Sequence, residues 1–282
     1  MPAPQQIWSI GIYTGPSPFD LKPSAEIPNP VLTRESVTDV AAAFVADPFM
    51  IRGHMFFEVM NHESNRGEIG LASSSNGFYW KYERIVLREN FHLSYPYVFE
   101  WQNAYYMIPE SLRANAAWLY RAEEFPSGWT RAAKLIDGPC ADPSIVRFHD
   151  LWWLFLCPVP YRHDTLRLYF AEELTGPWRE HPKSPIIAAD NCRARPAGRL
   201  LVLNDKVIRF AQECVPHYGT RVRAFDILEL TTTTYREVEN AASPILQPGD
   251  NEWNSAGMHH VDAHQQPNGT WLACVDGFKL SA

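Results

Sequence analysis

The chain has 282 residues and a mass of 32.2 kDa, with 46% hydrophobic and 13% aromatic residues, ample for a packed core and unlike a disordered segment. Its net charge is −7, from 25 basic and 32 acidic residues with no basic run or Lys/Arg stripe, which argues against nucleic acid and anionic membrane as partners. The N-terminus, Met1-Pro2-Ala3-Pro4-Gln5-Gln6, lacks the basic start and apolar stretch of a signal peptide, and no run of about 18 apolar residues exists to cross a bilayer. Five scattered cysteines (140, 157, 192, 214 and 274), none in a CxxC pair, read as reduced residues of a cytoplasmic protein.

In chain order, Ile7-Trp8-Ser9-Ile10-Gly11-Ile12-Tyr13 has strand composition but no neighbour to pair with. A proline-bearing link, residues 15–29, follows. Residues 37–45 then make the nearest approach to a helical period, at most one or two turns. Next comes a unit that recurs. A short first strand, Ala46-Asp47-Pro48-Phe49-Met50, precedes an apolar second strand at 55–59, a third at 69–72 leading to Trp80, and a more polar fourth at 82–87. Ser94-Tyr95-Pro96-Tyr97-Val98, Ala141-Asp142-Pro143-Ser144-Ile145 and Ala194-Arg195-Pro196-Ala197-Gly198 open three further units, and His259-His260-Val261-Asp262-Ala263 a fifth, less regular one. Pro48, Pro96, Pro143 and Pro196 stand 48, 47 and 53 residues apart. Turns at Asn76-Gly77, Ser127-Gly128 and Gly176-Pro177 supply positive or fixed φ where strands reverse.

A self-similar unit of this length, built from strands alone, marks a propeller blade, and single blades cannot bury both faces unless they close into a ring. The expected fold is all-β: a five-bladed β-propeller of four-stranded antiparallel blades around a central channel, one domain over residues 1–282. The fifth unit runs out of chain after two strands, so the N-terminal strand is expected to pair into it and close the ring. The links 15–29 and 243–254 are expected to cover one mouth of the channel.

The innermost strand of each blade lines the channel, so the matching positions Asp47, Tyr95, Asp142, Arg195 and either His260 or Asp262 are expected to converge at the axis. One Asp-Pro alone is an ordinary turn dipeptide. Ionised groups gathered in one channel, however, cost free energy unless paired, which makes their equivalence by repeat a functional signal. Glu58 interrupts the apolar run of its second strand and Glu110 closes another; each reads equally as a solvated cap or a catalytic acid, and Asp276 sits similarly. His260, Asp262 and His264 alternate along one strand and so are expected to share a face, where imidazole and carboxylate hold a divalent cation or bind sugar hydroxyls.

Asp-Pro at the start of a blade, aromatic pairs in the next strand, and Leu168-Tyr169-Phe170-Ala171-Glu172-Glu173-Leu174-Thr175-Gly176-Pro177-Trp178 resemble the five-bladed propellers of the arabinanase, levansucrase and invertase superfamily, which is glycoside hydrolase family 43-like. More closely, the segments 44–50, 93–99, 107–111, 194–199 and 257–262 make residues 7–278 similar to the N-terminal propeller domain of plant glucosamine inositol phosphorylceramide transferases and its bacterial relatives, some attached to formyltransferase-like modules. The superfamily resemblance implies three acids on separate inner strands: a base or nucleophile, a pKa modulator and a general acid. Asp47 matches the first and Asp142 the second, but Arg195 stands where the acid is expected, and Glu110 is the substitute. A channel histidine of the superfamily often holds calcium, a role His260 matches; no cofactor is otherwise required.

The first reading is therefore a carbohydrate-active enzyme of glycoside-hydrolase type. Asp47, Asp142 and Glu110 are its catalytic candidates. Glu58, Tyr95, Arg195, His260 and Asp262 contact a small-molecule or oligosaccharide ligand, which Arg195 suggests is anionic. The alternatives are a non-catalytic carbohydrate-binding propeller that supports a glycosyl- or formyl-transferase partner, and a propeller recruited for metal-assisted chemistry through its histidine-rich strand.

Overall fold

In the computed structural model, which describes residues 5–159 and 161–281, twenty strands fall into five four-stranded antiparallel sheets. The chain begins with β1 (Gln6–Ser17) and β2 (Asp20–Pro23). The first blade then follows as β3 (Ala42–Ile51), β4 (His54–Asn61), β5 (Arg66–Ser73) and β6 (Lys81–Leu87). The second is β7 (Ser94–Trp101), β8 (Ala104–Glu110), β9 (Ala116–Glu124) and β10 (Ser127–Asp137). The third is β11 (Ala141–Phe148), β12 (Leu151–Cys157), β13 (Arg167–Ala171) and β14 (Arg179–Glu180). The fourth is β15 (Leu201–Leu203), β16 (Lys206–Glu213), β17 (Arg221–Leu230) and β18 (Tyr235–Glu239).

The fifth blade is shared between the two ends of the chain. Its order is β19 (Val261–Gln265), β20 (Trp271–Leu280), β1, β2, and β1 pairs with β20 without interruption from Gln6↔Leu280 to Gly15↔Trp271. The expected closure of the ring by the N-terminal strand is thus observed. The link 15–29 also supplies a fourth strand, β2, that its proline content concealed. The reading of Met1–Pro4 lies outside the described residues. Among the described residues no helix is long and apolar enough to cross a membrane.

The core lies between blades, where facing sheets interlock. Phe49 and Phe56 of the first blade pack with Tyr97 and Met107 of the second, which in turn meet Trp152 and Leu154 of the third. The tryptophans that end three of the third-to-fourth strand turns share one device. Each indole N–H donates to a carbonyl a few residues upstream: Trp80 to Gly77 at 2.9 Å, Trp129 to Pro126 at 3.2 Å and Trp178 to Leu174 at 3.3 Å. A buried indole then needs no further donor partner, and the turn is pinned to the sheet.

The X-Pro repeat has a structural cause. Proline cannot donate to a ladder, and in the first three blades the pairing register slips across it: between Ala46 and Phe49, Ser94 and Tyr97, and Ala141 and Ser144. The residue before each proline adopts a left-handed conformation, with φ of 53° at Asp47, 46° at Tyr95 and 48° at Asp142. Asp tolerates this region; a tyrosine there is uncommon. Each slip is a bulge, and bulges re-aim side chains, here toward the axis.

Three expectations need correction. Residues 37–45 are not helical. A single 3-10 turn occupies Arg34–Ser36, Val37 is extended, and β3 starts at Ala42, because the apolar alternation of the inner strand outweighs a weak helical period. The inner segment Ala194-Arg195-Pro196-Ala197-Gly198 is not a regular strand. Arg195 O accepts from Gln212 N at 2.8 Å, while Gly198 crosses to bridge Val261 of the fifth blade in parallel. Finally, the links 15–29 and 243–254 pack together beside β2 around a separate surface cavity rather than over the funnel described below.

Gly198 is where that crossing is tightest. Its φ is +125°, and a Cβ there would sit 1.8 Å from the Val261 carbonyl oxygen. Gly198→Ala is expected to lower the melting temperature by at least about 5 °C in a circular dichroism melt, because backbone must move to admit the methyl. A shift within experimental scatter would show that the crossing is not rigid.

Candidate functional site

The side chains aimed inward by the bulges meet across long sequence separations. Tyr95 Oη accepts from Gly198 N at 2.6 Å and bonds Ser144 Oγ at 2.7 Å, tying the second, third and fourth blades together. Asp47 Oδ2 accepts from Tyr95 N at 3.3 Å, Asp276 Oδ2 from Asp47 N at 2.9 Å, and Glu110 Oε2 from Asp142 N at 3.2 Å. Carboxylates therefore take up the backbone N–H groups that the bulges release from the ladder. Glu110 and Asp276, from second strands, belong to the axis for this reason.

Arg195 is the hub. It lies 8% exposed, with Nε 2.5 Å from Asp142 Oδ2 and Nη2 3.3 Å from both Asp142 Oδ1 and Glu110 Oε2. Its Nη1 donates to His163 Nδ1 at 2.9 Å, and the guanidinium stacks 4.9 Å from the centre of the Tyr218 ring. Gln212 Nε2 adds a bond to Asp142 Oδ2 at 2.8 Å. The anionic ligand suggested by Arg195 loses its basis here, since the guanidinium already serves two carboxyl groups of its own chain.

These contacts sort the acids. Burial pushes the Glu110 carboxyl up to about 8, helped by the neighbouring Asp142 and opposed by Arg195. Burial also acts on Asp142, but the Arg195 guanidinium outweighs it and holds that carboxyl below its ordinary value. Asp47 is driven well above the usual carboxylate range by burial first and then by the charges of Asp276, Asp142, Glu58 and Glu110. His163 is lowered to about 4 by burial and by Arg195, in keeping with a neutral ring that accepts a hydrogen bond from the guanidinium.

Above Arg195 opens a funnel of about 370 Å³, lined by His92, Glu110, Leu112, Arg113, Tyr161, His163, Arg195 and Tyr218. Its rim comes from the turn after β8, the loop after β12 and the loop after β16. Arg113 is exposed and has no salt-bridge partner among the described residues; Tyr161 is 81% exposed. Asp47 and Asp142 do not line the funnel and lie 5% and 2% exposed beneath its floor of Arg195 and Tyr218. Glu58 Oε1 lies 3.3 Å from His92 Nε2, one step behind the wall.

The other candidates fall elsewhere. Asp262 is fully enclosed and held by Arg199 Nε at 2.5 Å and His264 Nε2 at 2.9 Å, while Arg199 also donates to the Val98 carbonyl and stacks near Tyr97. This group closes the channel away from the funnel. His260, Asp262 and His264 do not gather into one donor set, because β19 begins only at Val261 and the strand alternation does not reach back to His260. Residues that the repeat did not reveal are His259, Tyr218, His163, His92 and Gln212. Of these only Gln212 carries a signal of the kind that marked Glu58, a polar side chain inside an apolar second strand.

The profile of the family described as "Glucosamine inositolphosphorylceramide transferase 1, N-terminal" matches residues 2–278. The chain belongs to this family. It is 37% identical over 306 aligned residues to glucosamine inositolphosphorylceramide transferase 1 of Oryza sativa subsp. japonica, covering 99% of this chain and 41% of the relative. It is 33% identical to the protein of that name from Arabidopsis thaliana, covering 98% of this chain and 39% of the relative. The chain thus spans about two-fifths of the length of the curated relatives it matches. Among solved structures, a thermostable family-43 glycoside hydrolase superposes with a TM-score of 0.61 at 13% identity, over 91% of this chain and 96% of that one. That likeness shows the propeller fold shared with such hydrolases.

Proposed function

We propose that this member of the glucosamine inositolphosphorylceramide transferase N-terminal family is a saccharide-recognition propeller for glycosyl transfer, whose funnel takes a sugar carrying an anionic group. The observation that carries the reading is the floor: Arg195 fills the place of an acid and, bound to both Asp142 and Glu110, separates Asp47 and Asp142 from the funnel, leaving Glu110 as the one carboxyl in its lining. A hydrolase needs a carboxylate and a water at the anomeric carbon, and Asp47 lies beneath that floor. The rim offers what a binding site needs instead: the exposed guanidinium of Arg113, without a salt-bridge partner among the described residues, for a phosphate or carboxylate, and Tyr161 and Tyr218 to lie against sugar faces. The relatives are named for glucosamine and inositolphosphorylceramide, so the ligand class is a phosphoryl-inositol saccharide headgroup.

Calorimetry with glucosamine, inositol 1-phosphate and a glucosaminyl-inositol phosphate tests this. The phosphorylated saccharide should bind best. Arg113→Ala and Tyr161→Ala, both at exposed positions, should each weaken it by about 10-fold while leaving the melting temperature unchanged. Equal binding of charged and neutral sugars would overturn the anionic specificity. The second reading, glycoside hydrolysis, draws on Glu110, a carboxyl that keeps its proton at neutral pH and lines the funnel. Turnover of an aryl-glycoside panel that disappears in Asp47→Asn would favour hydrolysis over recognition.

A further inference from the structure

The fold family implies a calcium ion on a channel histidine, the role matched by His260. The surroundings of His260 do not fit that ion. Calcium takes six to eight oxygen ligands. The His260 ring is fully enclosed, edge-on to Phe49 with ring centres 4.6 Å apart and to Tyr95 at 5.3 Å, and the carboxylate it faces, Asp47 Oδ1, lies 3.7 Å from Nδ1. Two aromatic walls and one carboxylate are not an oxygen cage.

One residue earlier the chemistry is different, and we propose that Asp47, His259 and Asp276 hold a divalent transition-metal ion beneath the funnel floor. One donor atom from each lies within 4.8 Å of the others, and the three residues are 5%, 3% and 0% exposed. His259 Nδ1 is 2.7 Å from Asp276 Oδ1, and its Nε2 is 3.7 Å from Asp47 Oδ1. One imidazole with two carboxylates is a donor set for zinc, manganese or iron rather than for calcium.

The surroundings are built as outer shells of metal sites are, with each ligand oriented by a neighbour. Asp276 accepts from the backbone N–H groups of Asp47 and His259, and Asp47 accepts from that of Tyr95. Trp8 stacks on His259 with ring centres 4.0 Å apart and Tyr218 meets it edge-on at 5.2 Å, which shuts out bulk water.

Charge points the same way. Arg195 is engaged by Asp142 and Glu110, and among the described residues the ion-pair partners of Asp47 and Asp276 are histidines alone. Two buried carboxylates facing each other over one imidazole lack a cation, and a divalent ion supplies it. His260 is the independent sign. Among the described residues neither of its ring nitrogens has a hydrogen-bond partner, although the side chain is wholly enclosed and Nδ1 faces Asp47. A water carried by an ion on Asp47 would give that nitrogen its missing partner. The inference does not depend on what the funnel binds.

The test uses the tag-free wild-type protein. Elemental analysis after purification without chelators should find one equivalent of a transition metal. Removal with EDTA should lower the melting temperature, and calorimetry on the stripped protein should show binding of Zn²⁺ or Mn²⁺ far tighter than Ca²⁺. His259→Ala and Asp276→Asn should lose the metal, and His260→Gln should weaken it by about 10-fold or more without abolishing it. If the variants fail to fold, the wild-type calorimetry still decides. No stoichiometric binding of Zn²⁺ or Mn²⁺ overturns the proposal. So does calcium as the preferred ion, or an ion lost in His260→Gln and kept in His259→Ala.

Discussion

Arg195→Met should be among the most destabilising single substitutions in this protein, lowering stability by about 3–5 kcal/mol and the melting temperature by roughly 10 °C. The guanidinium is 8% exposed and satisfies Asp142, Glu110 and His163 together, so its loss strands the Asp142 carboxylate in a place water does not reach. Methionine fills much of the volume, which isolates the electrostatic loss from a cavity. The partner variant makes the argument sharp. Asp142→Asn with Arg195→Met removes the stranded charge and leaves an amide that Gln212 can still meet, so the double variant should recover most of the loss. A single variant that melts with the wild type would mean that the hub does not hold the funnel floor. A double variant no better than the single would mean that Arg195 acts through packing on Tyr218 instead.

The propeller was readable because its repeat is chemical as well as numerical. A proline that interrupts a ladder must recur wherever a bulge recurs, and Pro48, Pro96 and Pro143 mark three such bulges. The fourth repeat, around Pro196, kept the proline but not the bulge or the regular strand, and its Arg195 side chain spans to the third blade. Spacing carries no information about that reach. Tyr218, His163 and His92 come from loops or lie just before a strand, where no repeat constrains composition, so nothing in the sequence placed them at the funnel. The histidine doublet shows a different limit. His259 and His260 are adjacent, and strand alternation favoured His260 with Asp262 and His264. The strand starts one residue too late for that pattern, which leaves His259 with the carboxylates and His260 with aromatic rings. Asp276, at the axis, is a second-strand acid like Glu110, and what distinguishes both from a solvated cap is the backbone N–H that each accepts from the next blade.

The second large effect is on pH. Glu110 has an ordinary carboxyl value of 4.5 and is raised by burial and by Asp142 to about 8 in the folded protein. Between those values the folded state binds a proton that the unfolded state has released. Stability contributed by this group therefore falls as pH rises from about 4.5 toward 8, the reverse of an ordinary salt-bridged carboxylate. Because Glu110 shares Arg195 with Asp142, the two titrate as a pair, and the whole fall should amount to a few kcal/mol, on the order of what one strongly shifted group supplies. Glu110→Gln keeps the shape and gives the neutral form at every pH. Urea denaturation at intervals from pH 5 to pH 9 should show the wild type losing stability across that range and the variant following a flatter curve, with the variant the more stable of the two at pH 9. Parallel curves would place the proton elsewhere. The same variant separates the two functional readings, since a recognition site tolerates an amide in the funnel wall while an acid catalyst does not: saccharide binding should survive Glu110→Gln within about threefold, and any glycoside turnover should not.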